Sequence, residues 1–324
     1  MTALRATVGA VLALWLAVFA PNSAAAQDAA GASPVAEEAT ESAPARTGLD
    51  IYREFREGLA APECGADVST RWRKHFAAAP RRLASADDET LLLFGYVVDE
   101  VRKSHLPTEY ALIPFVESGY RPDARSPLGP AGLWQMIKLT ARDHKVPIGN
   151  GYDGRLSPID STRAAVRYLK TLHGMFAGDW RLAVMAYNAG EYRILGALRR
   201  GGQVARDAQP ESLPGLPRIT HAYVRKLHAL ACVLQDAGED ATWIAALERG
   251  VPSLEAVEVG PGVTRIAQWA ERHDQDAERL RWLNPVHKGR IRRSGQGPAQ
   301  LLAVSPVVLP VPDEAPAGGA AGSP

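Results

Sequence analysis

A mainly helical domain followed by a small α+β module is the fold class that three features of the sequence predict. Apolar residues recur at three- and four-residue intervals in one segment after another from Ile51 to Gln235. Strand signals are nearly absent up to about residue 250. After Pro252 the pattern changes: Val257-Glu258-Val259 alternates, Gly260-Pro261-Gly262 turns, and Leu301 to Val304 reads as a second strand.

In chain order, residues 1–26 read as a secretory leader. Arg5 supplies the positive start, Val8 to Ala20 the apolar run, and Ala24-Ala25-Ala26 the small residues before a cut. No Cys follows the apolar run, so no lipid anchor is expected, and no membrane anchor remains once the leader is removed. Residues 27–48, rich in Ala, Glu, Ser, Pro and Thr, read as a flexible spacer. Helices are expected from Ile51, over Trp72 to Ala78, and from Asp88 to about Lys103. Pro107 opens the next one, over Tyr110 to Ser118, and Pro114 should bend it just ahead of Glu117. Trp134 to His144 reads as helix and residues 146–156 as a Gly-rich connection. Ser157-Pro158 opens a helix with apolar positions Ala164, Ala165, Tyr168, Leu169, Leu172 and Met175 at three- and four-residue intervals, and Asp179 caps another from Trp180 to about Gly190. Tyr192 to Arg199 and His221 to Gln235 complete the helical part, separated by a polar loop. Short helices over Ile266 to Ala270 and Ala277 to Leu283 lie between the two strands of a module spanning 253–312, and residues 313–324 read as a disordered tail.

Composition narrows the function classes. Apolar residues make up 46% and charged residues 23% of the 324 residues, ordinary for a globular protein. The formal net charge is +1, and losing Arg5 with the leader brings it to zero, which gives no support for nucleic-acid binding. Cys64 and Cys232 are the only cysteines, an even number in an exported chain, and spacing alone leaves their pairing open. No Cys/His cluster has metal-ligand spacing, so neither a metal nor another cofactor is expected.

The chemistry centres on Ala111 to Gln135, ALIPFVESGYRPDARSPLGPAGLWQ. An uncharged run leads straight into Glu117, and a carboxyl at the end of such a run is desolvated, which raises its pKa and lets it hold a proton near neutrality. Ser126 and Gln135 follow in a loop rich in Pro and Gly. Ala186-Tyr187-Asn188-Ala189-Gly190 ends a later helix, and Tyr223 sits on the last large one. One acid, amide and hydroxyl donors, and the aromatics Trp134, Tyr187 and Tyr223 suit a neutral, hydroxyl- and N-acetyl-rich ligand such as a sugar better than a phosphate or a metal. Each feature alone has a plainer reading: a helix-end Glu is commonly a surface residue, and Trp134 and Tyr187 are commonly core.

The order Glu117-Ser118, Gly132-Leu133-Trp134-Gln135, Ala186 to Gly190 and Tyr223-Val224 resembles the soluble-type lytic transglycosylase domain of lysozyme-like fold. Leu112 to Ser118, Tyr152-Asp153-Gly154-Arg155 and Gly178-Asp179-Trp180 resemble the membrane-bound lytic murein transglycosylase D family in particular. The resemblance covers roughly residues 50 to 250, within a catalytic domain taken as 49–250. Lys138 stands where that family usually has Pro, and Ile219 where it commonly has Glu. The module after 253 is similar to a LysM peptidoglycan-binding repeat in part, through Gly262-Val263-Thr264, Ile266-Ala267 and Leu283-Asn284-Pro285, with the spacing after Thr264 off.

The resemblance implies action on peptidoglycan strands, cutting the β-1,4 bond between N-acetylmuramic acid and N-acetylglucosamine; with the leader, a soluble periplasmic protein is expected, and a monomer. Glu117 is implied as general acid and then base, Ser126 and Gln135 as residues holding the saccharide, Tyr187 and Asn188 as cleft lining, and Tyr223 as a close neighbour of the acid. Two rival readings stay open. One is a hydrolytic muramidase using Asp123 or Asp153 to activate water. The other is a wall-binding protein without activity.

Overall fold

The computed structural model describes residues 46–65, 68–295 and 297–305. The expected leader (1–26), the spacer up to residue 45 and the expected tail (313–324) lie outside them. Arg46 and Thr47, counted with the spacer on composition, already belong to the fold. The Arg46 guanidinium meets Asp99 at 2.8 Å and also pairs with Glu54. Thr47 caps the first helix in a reciprocal box with Asp50.

The helices of the larger part are α1 (Gly48–Glu57), α2 (Thr70–Phe76), α3 (Ala79–Ala84), α4 (Thr90–Lys103), α5 (Ile113–Glu117), α6 (Lys138–Asp143), α7 (Pro158–Met175), α8 (Trp180–Ala189), α9 (Glu191–Arg200), α10 (Arg218–Ala237) and α11 (Ala241–Leu247). The run TLLLFGYVV at the start of α4 has no polar face, so every residue from Thr90 to Val98 is buried and α4 becomes the central helix. Around it pack α1, α3, α7 and a 3-10 turn over Thr108–Leu112. α10 runs against α2, α3 and α8 and buries Tyr223, Leu227, Leu230 and Leu234 along one side, as its spacing predicts. No helix among the described residues is long and apolar enough to cross a membrane.

The local departures from the sequence reading have physical causes. The segment from Tyr110 to Ser118 is not one bent helix: the 3-10 turn gives way to a single α turn with Pro114 at its start, because Pro114 has no N–H to continue a ladder. The expected helix over Trp134 to His144 shrinks to Lys138–Asp143. Gly132 and Gln135 hold φ of 80° and 46°, and Ala131 bridges both Arg125 and Met136, so the chain coils tightly before any helix can begin. A two-residue hairpin, β1 (Ile148–Gly149) with β2 (Tyr152–Asp153), lies inside the Gly-rich connection. α3 and α11 are too short to show a period in sequence.

β3 (Leu254–Glu258) and β4 (Gln300–Val304) pair antiparallel, Leu254 opposite Val304 and Glu258 opposite Gln300. Between them lie α12 (Ile266–Arg272) and α13 (Ala277–Leu283). This part has a small core of its own around Ile266, Trp269, Leu280 and Leu301. Asn284 clamps it: its buried amide donates to the carbonyls of Leu280 and Leu302 and accepts from the Leu302 N–H at 2.8 Å. Leu254, Leu283 and Leu302, however, belong to the main helical core, and β3 and β4 pack on α4 and α7.

Cys64 and Cys232 form a disulfide that ties the segment before α2 to α10 across 168 residues of chain. Among the described residues the His/Cys/carboxylate grouping tight enough for a metal is Cys64, His228 and Cys232, and both sulfurs are engaged in that bond. Closing so long a loop restrains the unfolded chain. The Cys64→Ser/Cys232→Ser variant is expected to lose about 2–5 kcal/mol of stability in urea unfolding at unchanged fold.

Candidate active site

The acid stands at the end of α5, where the chain reverses. The amides of Ser118 and Tyr120 both return to the Pro114 carbonyl, at 3.0 and 3.1 Å. Gly119 and Tyr120 have φ of 62° and 60°, which swings the backbone away just past Glu117. Tyr120 holds this uncommon conformation through its fully buried ring. It packs edge-on against Phe94 and Phe115, and its hydroxyl donates to the Ala111 carbonyl at 2.7 Å. Arg82, paired with Asp88 at 2.9 Å, donates to the Gly119 carbonyl at 2.8 Å and fixes the turn from outside.

Glu117 is partly buried, and desolvation pushes its carboxyl above the ordinary range. Two groups pull the other way: the Tyr223 hydroxyl, which donates to Oε1 at 2.5 Å, and the charge of Lys226. The Tyr223 ring is 2% exposed, so what it offers is that hydroxyl, not a face for a sugar to stack on. Tyr223→Phe removes a contact that favours the carboxylate. The alkaline limb of kcat/KM, set by loss of the Glu117 proton, is therefore expected to move to higher pH in a pH–rate profile.

The loop from Ser126 to Met136 is fastened to the acid. The Ser118 hydroxyl reaches the Leu133 carbonyl at 2.8 Å and the Pro114 carbonyl at 3.1 Å, joining α5 to the Gly-Leu-Trp-Gln stretch. Trp134 is 1% exposed, with its indole N–H on the Thr162 hydroxyl at 2.9 Å, so it is core and not a sugar platform. Tyr187, at the end of α8, donates to the Trp134 carbonyl at 3.0 Å. Its hydroxyl pKa is raised by burial and by the nearby Glu117 carboxylate. From Trp134 a row of rings continues through Tyr187 and Tyr168 to His144, with Tyr168 hydrogen-bonded to Glu191 at 2.8 Å.

The structure thus brings Glu117, Tyr187 and Tyr223 together and bonds Tyr187 to the backbone of the Gln135 loop. Gln135 is half-buried, its amide N–H groups on the carbonyls of Gly132 and Ala124 at 2.9 and 3.3 Å. Ser126 opens a tight turn closed by Gly129 N–H at 3.0 Å, with Leu128 exposed at its tip. Asn188 is exposed at the end of α8, beside Gly190 with its φ of 90°. Of the rival carboxylates, Asp123 is exposed, and Asp153 is held below the usual range, against some desolvation, by its bonds to Arg155. Among the described residues, no carboxylate stands with the groups that shift Glu117.

Sequence reasoning gave no role to Arg155, which organises the loop. Its guanidinium is 3% exposed, paired with Asp153 at 2.8 Å, and donates to the carbonyls of Gly129 and Met136 at 2.8 and 3.0 Å. A Cβ on Gly132 would stand 1.6 Å from the Arg155 carbonyl oxygen. With a φ of 80°, only glycine fits there. The available signal was the Asp153–Arg155 spacing inside a quoted motif, which composition assigns to the surface.

The family described as the transglycosylase SLT domain matches residues 98–209. The membrane-bound lytic murein transglycosylase D of Escherichia coli (strain K12) is 37% identical over 142 residues, 44% of this chain and 31% of that protein. Peptidoglycan transglycosylase gp16 of Escherichia phage T7 is 39% identical over 83 residues, 25% of this chain and 6% of that protein. The chain therefore spans about a third of the length of the first of these relatives. Among solved structures, the 70 kDa soluble lytic transglycosylase SLT70 of Escherichia coli covers 61% of this chain at 19% identity with a TM-score of 0.38, and 32% of that chain is matched. The segment that matches the transglycosylase SLT domain, residues 98–209, carries the acid, the Gly-Leu-Trp-Gln loop and the Tyr-Asn helix end, and the chain is similar to lytic murein transglycosylase D.

Proposed function

We propose that the chain is a peptidoglycan lytic transglycosylase. The observation that carries this reading is a single carboxyl, Glu117, raised above its ordinary range and hydrogen-bonded by Tyr223, with no second carboxylate acting on it among the described residues. Ordinary glycosidases need two flanking carboxyls, one to protonate the leaving oxygen and one to serve as nucleophile or to activate water. A single acid suffices when the substrate supplies the nucleophile.

Protonated Glu117 gives its proton to the glycosidic oxygen between N-acetylmuramic acid and N-acetylglucosamine, and the bond to the muramyl C1 breaks. The carboxylate left behind takes the proton of the muramyl C6 hydroxyl, whose oxygen closes on C1. The products are a free N-acetylglucosamine 4-hydroxyl and a 1,6-anhydromuramyl end, Glu117 is protonated again, and no water is consumed. A pKa raised by burial suits both halves of the cycle. Tyr223 steadies the carboxylate between them. Ser126, Gln135, Tyr187 and Asn188 line the path of the strand.

On the same reading, the catalytic region spans 49–250 and works as a monomer in the periplasm after removal of residues 1–26. The module over 253–312, taken as LysM-like, adds a second grip on the strand. Its own small core and the Asn284 clamp support a distinct unit, while its docking on α4 and α7 holds that grip at a fixed place. Mass spectrometry of muropeptides released from purified sacculi tests the activity: anhydromuramyl ends are expected, and reducing muramyl ends would replace this reading with hydrolysis.

A further inference from the structure

α2 lies ahead of the segment that matches the transglycosylase SLT domain, yet it packs on α10, the helix that brings Tyr223 to the acid. Three links hold this part of the chain to α10. The Cys64–Cys232 disulfide stands before α2, Arg73 pairs with Asp236, and the His228 ring nitrogen Nε2 meets the Glu63 carbonyl at 3.1 Å. α2 turns Phe76 into the core and leaves Trp72 half-buried, its ring edge-on to His75.

The Lys226 ammonium lies over that indole ring, 4.8 Å from its centre. On α10, Lys226 follows Tyr223 by three residues, so it shares that residue's face about 4.5 Å farther along the axis. Tyr223 is bonded to Glu117, α5 packs on α10, and the Lys226 charge acts on the Glu117 carboxyl. Among the described residues Lys226 makes no ion pair and no hydrogen bond, so the indole face is what fixes its flexible four-carbon stem. The other groups around the acid do not compete for this role. Tyr187 faces it from α8 and is uncharged, while Arg82 and Arg121 reach only the carbonyls of Gly119 and Ser118. Arg71, exposed on α2, lies over the same ring at 5.0 Å and is not among the groups that act on Glu117.

We propose that Trp72 is a positioning residue for the reaction: its indole holds the Lys226 ammonium on the acid's side of α10, so that a helix outside the matched segment governs how readily Glu117 gives up its proton. The proposal rests on the acid–base role argued above for Glu117. Without the ring the ammonium moves into solvent, the carboxylate loses its cation, and Glu117 keeps its proton to higher pH.

The test titrates the Glu117 carboxyl by carbon-13 NMR in the full chain without substrate, in wild type, Lys226→Met, Trp72→Leu, Trp72→Leu/Lys226→Met and Trp72→Phe. Lys226→Met is expected to move the midpoint to higher pH, Trp72→Leu to move it the same way, and the double variant to move it no farther than Lys226→Met alone. Trp72→Phe, which keeps a ring face, is expected to restore most of the wild-type value. The alkaline limb of kcat/KM on sacculi should move in step. Leu keeps apolar bulk against α10, so a purely structural role would lower the unfolding midpoint and leave the titration where it was. An unmoved titration in Trp72→Leu or Lys226→Met, or shifts that add in the double variant, would overturn the proposal. Should Trp72→Leu fail to fold, tryptophan fluorinated on the indole and placed at position 72 takes its part, since fluorine weakens the hold of the ring on a cation at nearly constant shape. A titration midpoint that climbs with each fluorine is then expected, and a constant one contradicts the proposal. Because the titration needs no substrate, its outcome is separate from that of the transglycosylase reading, which stands or fails on the products of digestion.

Discussion

Glu117→Gln is expected to lower the release of soluble muropeptides from sacculi by about a thousandfold or more, since the amide can neither give nor take the proton on which both steps depend. The fold should survive, because Gln keeps the shape of the side chain and can still accept from the Tyr223 hydroxyl that now reaches Oε1 at 2.5 Å. The variant should also be more stable at neutral pH. Burial raises the Glu117 carboxyl above its unfolded value, so the folded state binds the proton more tightly. The stability this group contributes is fully present below the unfolded pKa and is lost as pH rises through the folded one. Thermal unfolding across that window should show a decline in the wild type that the variant lacks. A variant that kept half its activity would exclude Glu117 as the essential acid.

Arg155→Met is the second large effect. The substitution leaves the Gly129 and Met136 carbonyls without their donor and the Asp153 carboxylate without its partner, in a place where the guanidinium was 3% exposed. Removing one member of such a pair costs about 3–5 kcal/mol, because the remaining groups stay desolvated. Urea unfolding should show that loss as a lower midpoint. Activity should fall as well, because the same carbonyls fix the loop that Ser118 ties to the acid. Arg155→Lys should recover little, since an ammonium cannot bond two carbonyls and a carboxylate in one plane. Wild-type stability in Arg155→Met would show that the loop is held by other contacts.

Much of this arrangement was legible in the residues, and what was missed has a common cause. The long helices α4, α7 and α10 declare themselves through their apolar period, and Glu117 through the uncharged run ahead of it. Tyr187 and Tyr223 were found by the order of motifs, although nothing local says that one bonds the Trp134 backbone and the other the acid. The errors lie where backbone geometry overrides pattern. Gln135 at a φ of 46° and Gly132 against the Arg155 carbonyl turn an expected helix into a coil, and Trp134 goes into the core as a result. Arg155 escaped because a buried arginine is recognised by the carbonyls around it, and those come from a loop twenty or more residues away in part. The docking of β3 and β4 on the main core is likewise a tertiary fact: Leu254 and Leu302 look like ordinary strand residues until α4 and α7 are in place.

The central claim is that the substrate's own C6 hydroxyl, and not water, attacks C1. Digestion of purified sacculi in heavy-oxygen water, followed by mass spectrometry of the released muropeptides, tests it directly. Anhydromuramyl ends carrying no heavy oxygen are predicted, whereas reducing muramyl ends that have taken up one heavy oxygen at C1 would contradict the account.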